Sequence, residues 1–297
     1  MRVLITGAEG FTGRYMAAEL KSLGHEVHGL VRHPCALSCC DQVYTADLND
    51  AKALRVAVEA VQPQWVVHLA AVSFVPHGDV EDIYRTNLIG TRKLLQALAD
   101  WSQRPEAVLL ASSANVYGNA GVERIDEHVS LHPANDYAVS KLAMEYLAHM
   151  YGQRVPSIVA RPFNYTGVGQ SLSFLLPKMV DHFRRRAPFI ELGNLDVARD
   201  FLDVRTVVGY YRRLLQTPAA VGGTFNISSG ETWALGDLLQ MARELSGHDI
   251  QVRINPVFVR DDEIKTLCGS PARLHALVGH LPGIELRDTL RWMLDAP

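Results

Sequence analysis

Short apolar runs alternate with stretches of helical spacing through the first half of the chain. RVLIT (2–6) is a β-branched run leading into a glycine-rich turn, and FTGRYMAAELKSL after it reads as a helix closed by Gly24 in the C′ position. EVHGLV (26–31), QVYTA (42–46), WVVHLA (65–70), AVLLA (107–111) and SIVAR (157–161) read as further strands. Helices are expected over 50–61, roughly 80–101 and 136–151; in the second, Leu88, Thr91, Leu94, Leu95 and Leu98 keep helical spacing. Strands that are apolar nearly throughout, alternating with amphipathic helices, predict a parallel sheet covered on both faces. Right-handed crossovers make this an α/β fold, a Rossmann-type doubly wound sheet.

The rhythm changes near residue 165. RPFNYTGVGQ, GNLDVARDF and FNISSGE bring in glycine, proline and polar residues, with helices between them and no linker. The expected organisation is a dinucleotide-binding domain over 1–164 and a smaller substrate-binding lobe over 165–297, with a soft, interleaved boundary.

Composition narrows the function classes. With 297 residues, 48% hydrophobic content and a net charge of −3, the chain has material for a large core and no general attraction to nucleic acid or anionic membrane. MRVLITGAEG meets glycine too early for a signal peptide, and no apolar run approaches the ~20 residues of a bilayer span. Cys35, Cys39, Cys40 and Cys268 lack partners at zinc-site spacing, so reduced thiols, no metal and a cytoplasmic protein are expected.

Gly7, Gly10 and Gly13 stand between the first strand and its helix, where they permit a tight turn, close approach of a pyrophosphate, and close helix–strand packing. The helix N-terminus adds free N–H groups. The second strand ends in Val31-Arg32 where a ribose-binding acid would stand. A guanidinium there suits a 2′-phosphate, so NADP(H) is preferred and NAD(H) stays admissible; the plainer reading of Arg32 is an exposed side chain without a partner. Asp47 and Leu48 follow the third strand at the adenine edge, and Leu69, Ala70 and Ala71 end the fourth beside the nicotinamide ribose.

In YAVSK, Tyr137 and Lys141 are one helical turn apart, so an ammonium can draw the phenol pKa down from ~10. Upstream, VLLASSANVYG (108–118) runs a strand into Ser112, Ser113 and Asn115, which are common turn formers and equally suited to line a site.

In order and spacing, TGAEGFTG, HLAA, TNLIGT, SSANVYG, YAVSK and RPFN resemble the extended short-chain dehydrogenase/reductase family over about 160 residues. The resemblance implies a catalytic set of Ser113, Tyr137 and Lys141, with Phe11, Thr12 and Asn87 among the cofactor contacts. It also implies a homodimer through the helices near 80–101 and 136–151. Dehydratases of the family carry an acid two positions after the catalytic Ser/Thr, and some carry one immediately after it as well; here Asn115 and Ala114 occupy those positions, and neither is a general acid.

The C-terminal motifs resemble the branch acting on GDP-mannose derivatives. That likeness implies that Asn164 and Lys178 contact a GDP-sugar substrate, that Arg199 and Arg260 bind its diphosphate, and that Glu263 takes the guanosine ribose. Asp261 stands where the branch has proline, and Asp200, Asp261 and Asp262 make surface ion pairs the plainer reading of the two arginines. Arg184, Arg185 and Arg186 read as a solvated helix face. The expected activity is NAD(P)H-dependent reduction of the 4-keto group of GDP-4-keto-6-deoxy-D-mannose to GDP-D-rhamnose, with the face of hydride attack left open. A 4-epimerase or 4,6-dehydratase of the same family is the alternative, and a dinucleotide sensor would not need the Ser/Tyr/Lys set.

Overall fold

Seven strands lie parallel because each carries apolar residues toward both faces. The computed structural model describes residues 1–73, 79–258 and 265–296. Strands β1 (Arg2–Thr6), β2 (Glu26–Val31), β3 (Gln42–Thr45), β4 (Trp65–His68), β5 (Ala107–Ala111) and β6 (Ser157–Pro162) form most of the sheet. The third and fourth end before the apolar run does, since Ala46, Leu69 and Ala70 leave the ladder to line its C-terminal edge.

Helix α1 (Phe11–Ser22) packs on one face. The other carries α2 (Ala51–Val61), α3 (Val80–Tyr84), α4 (Thr91–Asp100) and α5 (Asp136–Tyr151), of which α2, α4 and α5 supply its buried core. Between α3 and α4 the chain makes a wide π-helical turn over Arg85–Gly90, so the predicted helix near 80–101 is one rod with a bulge. The bulge turns Asn87 inward and seats Gly90 where a Cβ would come within 2.7 Å of the Leu48 Cβ. Asn135 caps α5 by accepting from the Ala138 N–H at 2.9 Å, which fixes the start of the helix bearing Tyr137.

The second half of the chain does not form a separate body. Strand β7 (Asn164–Thr166) is followed by α6 (Leu175–Arg184), β8 (Phe189–Leu192), β9 (Ala198–Arg199) and β10 (Phe201–Asp203). Helix α7 (Val204–Leu215) then returns to cover the main sheet beside α1, and β11 (Thr224–Ile227) adds to its edge against β6. The sheet order is β11-β6-β5-β4-β1-β2-β3, so connections diverge between β1 and β4. Strand β12 (Trp233–Ala234), α8 (Leu235–Ser246), β13 (Gln251–Ile254), β14 (Thr266–Leu267), α9 (Ala272–Val278) and α10 (Leu286–Asp295) complete the chain. Helices α6, α8 and α10 enclose a core of their own above the sheet's C-terminal edge. Beneath that lobe β7 pairs with β10.

Candidate active site

The glycine turn lies in the crevice where β1 and β4 part. Gly7 has φ +68°, and a Cβ on it would come within 2.8 Å of the Ala70 backbone. A Cβ on Gly13 would lie 2.2 Å from the Gly7 carbonyl oxygen. Gly10 caps α1 with no side-chain cap, and no acidic residue stands in the first turn. The N–H groups of that turn are left for an anion, which fits a dinucleotide pyrophosphate. Phe11 and Thr12 open the helix at this point.

A buried chain of hydrogen bonds joins this turn to α5, and its proton positions follow from counting. The Thr91 hydroxyl donates to the Asn87 carbonyl at 2.7 Å, so its 2.8 Å contact with His68 Nε2 must be a bond from the ring N–H. His68 Nδ1 therefore accepts from the Thr6 hydroxyl at 2.7 Å, and the Thr6 oxygen accepts from Ala70 N–H at 3.2 Å. Burial keeps this imidazole neutral, pulling its pKa down to about 3. The Asn87 amide donates to Val72 O and Ser140 Oγ at 3.0 Å each and accepts from Val72 N at 2.8 Å. Asn87, placed by sequence among cofactor contacts, is 1% exposed and uses its amide to hold the end of β4 against α5.

Ser113, Tyr137 and Lys141 come together as their motifs predict. Ser113 leaves β5 in extended conformation, caps the short turn Ala114–Tyr117, and accepts from Asn115 N at 3.1 Å. Lys141 is 4% exposed, donates to the Ala111 carbonyl at 2.7 Å, and lies 5.8 Å from the Tyr137 ring centroid.

The expected electrostatics of the pair need correction. Burial pushes the Tyr137 phenol well above its ordinary value; nearby Tyr165 adds to this and a hydrogen bond with Ser113 opposes it. The net direction is therefore opposite to the one expected from the Tyr137/Lys141 spacing, and the Lys141 ammonium donates its hydrogen bond to the β5 carbonyl. Burial draws Lys141 itself down to about 8, against the raising effect of Glu145.

Glu145 is a neighbour of the candidate site that the motifs did not reveal. One turn beyond Lys141, it forms a two-pronged pair with Arg161 of RPFN, at 2.9 Å from Nε and 2.6 Å from Nη2. The two side chains are 9% and 6% exposed. Ser112 donates to the same carboxylate at 2.5 Å. Arg161 Nη1 donates to Tyr117 Oη at 2.8 Å, and Tyr117 donates to Asn226 Oδ1 at 2.7 Å. The network ties α5, β6, β11 and the residue following β5 together beside Ser113 and Lys141. Helical spacing from Tyr137 through Lys141 to Glu145 was the available signal.

Past the end of β2, Arg32 has a partner: its Nε lies 3.3 Å from Asp47 Oδ2, both groups being about half exposed. The plain reading of an unpartnered arginine therefore fails. Asp47 Oδ1 also accepts from Asn49 N at 2.8 Å, and this bond leads the effects that lower its pKa. Leu48 is buried under Gly90, and Leu69, Ala70 and Ala71 line the end of β4.

On the lobe side, Asn164 donates to the Asp200 carbonyl at 3.2 Å. Asp200 is fully buried; its carboxylate accepts from the N–H groups of Ser229, Gly230 and Gly269, fixing the neighbouring loops. Arg199 sits on β9 beside it, its Nη1 donating to the Ala198 and Lys265 carbonyls. Lys178 donates to Glu191 O at 2.8 Å and lies over the Phe258 ring. Of the basic run, Arg184 closes α6 and Arg185 pairs with Asp181 on its exposed face. Arg260 and Glu263, with Asp261 and Asp262, lie outside the described residues. No metal-binding cluster occurs among the described residues, and no helix there is long and apolar enough to cross a membrane.

The chain matches the GDP-mannose 4,6 dehydratase family over residues 4–293. It belongs to that family, within the extended short-chain dehydrogenases/reductases. The GDP-6-deoxy-D-talose 4-dehydrogenase of Aggregatibacter actinomycetemcomitans is 33% identical over 283 residues, covering 94% of this chain and 92% of the relative. The GDP-6-deoxy-D-mannose reductase of Pseudomonas aeruginosa is 33% identical over 305 residues, covering 99% and 96%. Among solved structures, a putative epimerase from Burkholderia cenocepacia J2315 is 48% identical with a TM-score of 0.94, over 99% of this chain and 97% of the other. RMD from Pseudomonas aeruginosa complexed with NADPH is 31% identical with a TM-score of 0.87, over 99% and 98%. This member of the family is an NAD(P)-dependent oxidoreductase acting at a CH–OH/C=O group of a nucleotide sugar.

Proposed function

We propose that the protein reduces the 4-keto group of GDP-4-keto-6-deoxy-D-mannose. The observation that carries this reading is the pair Ala114 and Asn115 after Ser113: the turn offers no acid to expel water from the sugar, while Tyr137 beside it is held as a protonated phenol. The Ser113 oxygen accepts from Asn115 N–H, and its hydrogen bond with Tyr137 would open to admit the sugar carbonyl oxygen as acceptor of the Ser113 proton. Tyr137 donates its proton to that oxygen as negative charge develops, and Lys141 and Ser113 stabilise the charge. NAD(P)H supplies the hydride to C4 when bound. In this reading the glycine turn, with Phe11 and Thr12, grips the pyrophosphate. Asn164, Lys178, Arg199, Arg260 and Glu263 receive the GDP-sugar; Arg199 and Lys178 would exchange carbonyl partners for phosphate oxygens.

NADPH is the preferred cofactor in this proposal. Arg32 would exchange the Asp47 carboxylate for a 2′-phosphate, and a relative of the same fold is complexed with NADPH. GDP-D-rhamnose is the product we favour, with the talo product as its C4 epimer; the two relatives at 33% identity carry one name of each kind. Homodimerisation through the π-bulged rod and α5 accounts for the exposure of Ile89, Val139, Tyr146 and Met150. Free thiols suit a reducing cytoplasm.

The test follows NADPH absorbance with GDP-4-keto-6-deoxy-D-mannose, with NADH and GDP-mannose as parallel controls. Loss with the keto sugar alone supports the reductase. Conversion of GDP-mannose to a keto product without NADPH loss makes it a dehydratase. An epimerase, the reading favoured by the 48% identical structure, would instead purify with NAD bound and consume no NADPH.

A further inference from the structure

Tyr165 lies between the two ligand sites and belongs to neither by motif. It is the middle residue of β7, so its side chain and that of Asn164 leave the strand on opposite sides. Asn164 reaches the Asp200 carbonyl in the lobe. Tyr165 reaches the other way, and its hydroxyl shares a 2.8 Å hydrogen bond with Thr12 Oγ1 in the first turn of α1. Its ring is stacked on Phe11, with centroids 6.1 Å apart and planes 13° apart. The contact continues along the same loop: Tyr15 donates to Val168 O at 2.7 Å, and Gly167 is packed so tightly that a Cβ would lie 2.7 Å from Val204 and 3.5 Å from Phe11. The first turn of α1 and the segment after RPFN are thus clasped together. Tyr165 is also close enough to Tyr137 to help raise the pKa of that phenol.

We propose that Tyr165 is a positioning residue that couples the two sites, tying the pyrophosphate-binding turn through Thr12 to the strand whose other side presents Asn164 to the nucleotide sugar. The proposal rests on the reading of the glycine turn as the cofactor site and of the lobe as a GDP-sugar site. A dinucleotide that orders Thr12 then orders β7, and by reciprocity a nucleotide sugar that orders β7 tightens the dinucleotide.

Tyr165→Phe keeps the ring stack and removes only the hydroxyl, and Thr12→Val removes the other half of the bond at nearly constant volume. Dissociation constants for NADP⁺ and for GDP, each with and without the other, are measured on wild type, both single variants and the double variant. Each single change is expected to weaken NADP⁺ about fivefold, the worth of one neutral hydrogen bond, and the double variant no more than either single. GDP alone should bind all four proteins equally, as it would not if the substitutions merely loosened the fold. Saturating NADP⁺ should tighten GDP in the wild type, and by less in Tyr165→Phe. Unaltered NADP⁺ affinity in Tyr165→Phe, effects that multiply in the double variant, or equal enhancement of GDP binding in wild type and Tyr165→Phe would overturn the proposal. A wild type that binds neither nicotinamide dinucleotide overturns the cofactor site and the proposal with it; one that binds NADP⁺ but not GDP overturns the GDP-sugar reading and the coupling, leaving the Thr12 cycle standing.

Discussion

Replacing Glu145 by glutamine leaves the Arg161 guanidinium buried beside a neutral amide. The two side chains are 9% and 6% exposed, so solvent does little to screen the loss, and Ser112 loses its charged acceptor as well. Breaking a buried pair from one side costs about 3–5 kcal/mol; an amide keeps part of the hydrogen bonding, which puts this case near about 3 kcal/mol. For a chain of this size that lowers the melting temperature by about 6 °C. A second consequence is chemical. Burial lowers the pKa of Lys141 and the Glu145 carboxylate partly holds it up, with a net fall from 10.5 to about 8. Lys141 is charged below that pH and neutral above it, so kcat/KM should fall as pH rises through about 8. Without Glu145 the ammonium is less favoured, and the falling limb moves to lower pH. Thermal melts and kcat/KM profiles of wild type and Glu145→Gln, both under a fixed cofactor and substrate pair, check the two effects together. A melting temperature within about 1 °C of wild type and an unmoved basic limb would refute the reasoning, since the carboxylate would then be supporting neither Arg161 nor Lys141.

Other expectations are simpler to state. Tyr137→Phe should keep cofactor binding, measured by fluorescence titration, while turnover falls by about 10²-fold or more, the contribution of a positioned proton donor. Gly13→Ala should abolish dinucleotide binding, because its Cβ would sit 2.2 Å from the Gly7 carbonyl oxygen and force the turn apart; calorimetric titration with NADPH reads this directly. Arg32→Ala should raise the KM for NADPH about tenfold and leave that for NADH nearly unchanged, as expected for one exposed charge-assisted contact. Equal effects on both cofactors would mean that Arg32 does not face the 2′-position.

The parallel sheet was legible because burial on both faces writes itself as β-branched runs, and β1, β2, β5 and α5 begin and end where pattern and caps put them. The tight glycine turn, and the meeting of Ser113, Tyr137 and Lys141 in space, were legible because backbone approach and helical spacing restrict residue types. The π-helical turn was not: an i+5 bulge leaves an apolar rhythm close to that of a straight helix over so short a span. Lys141's direction was not legible either, since spacing brings it beside Tyr137 without saying that the Ala111 carbonyl accepts its hydrogen bond. The Glu145–Arg161 pair joins residues 16 apart in sequence from a helix and a strand, and Asn226 comes to it from 65 residues further on. Such pairings depend on which strands are neighbours, a property of the sheet order.

The return of α7 and β11 to the main sheet has a consequence for how such a protein can change over evolutionary time. A fragment ending at residue 164 would leave β6 as an unpaired border and strip the α7 cover from Ile158 and Ala160. The C-terminal half therefore cannot be exchanged by recombination at a single junction, as a tethered module could. New specificities in this architecture must be acquired in place, by altering the short segments that emerge above the sheet while the threads that hold both halves together are kept.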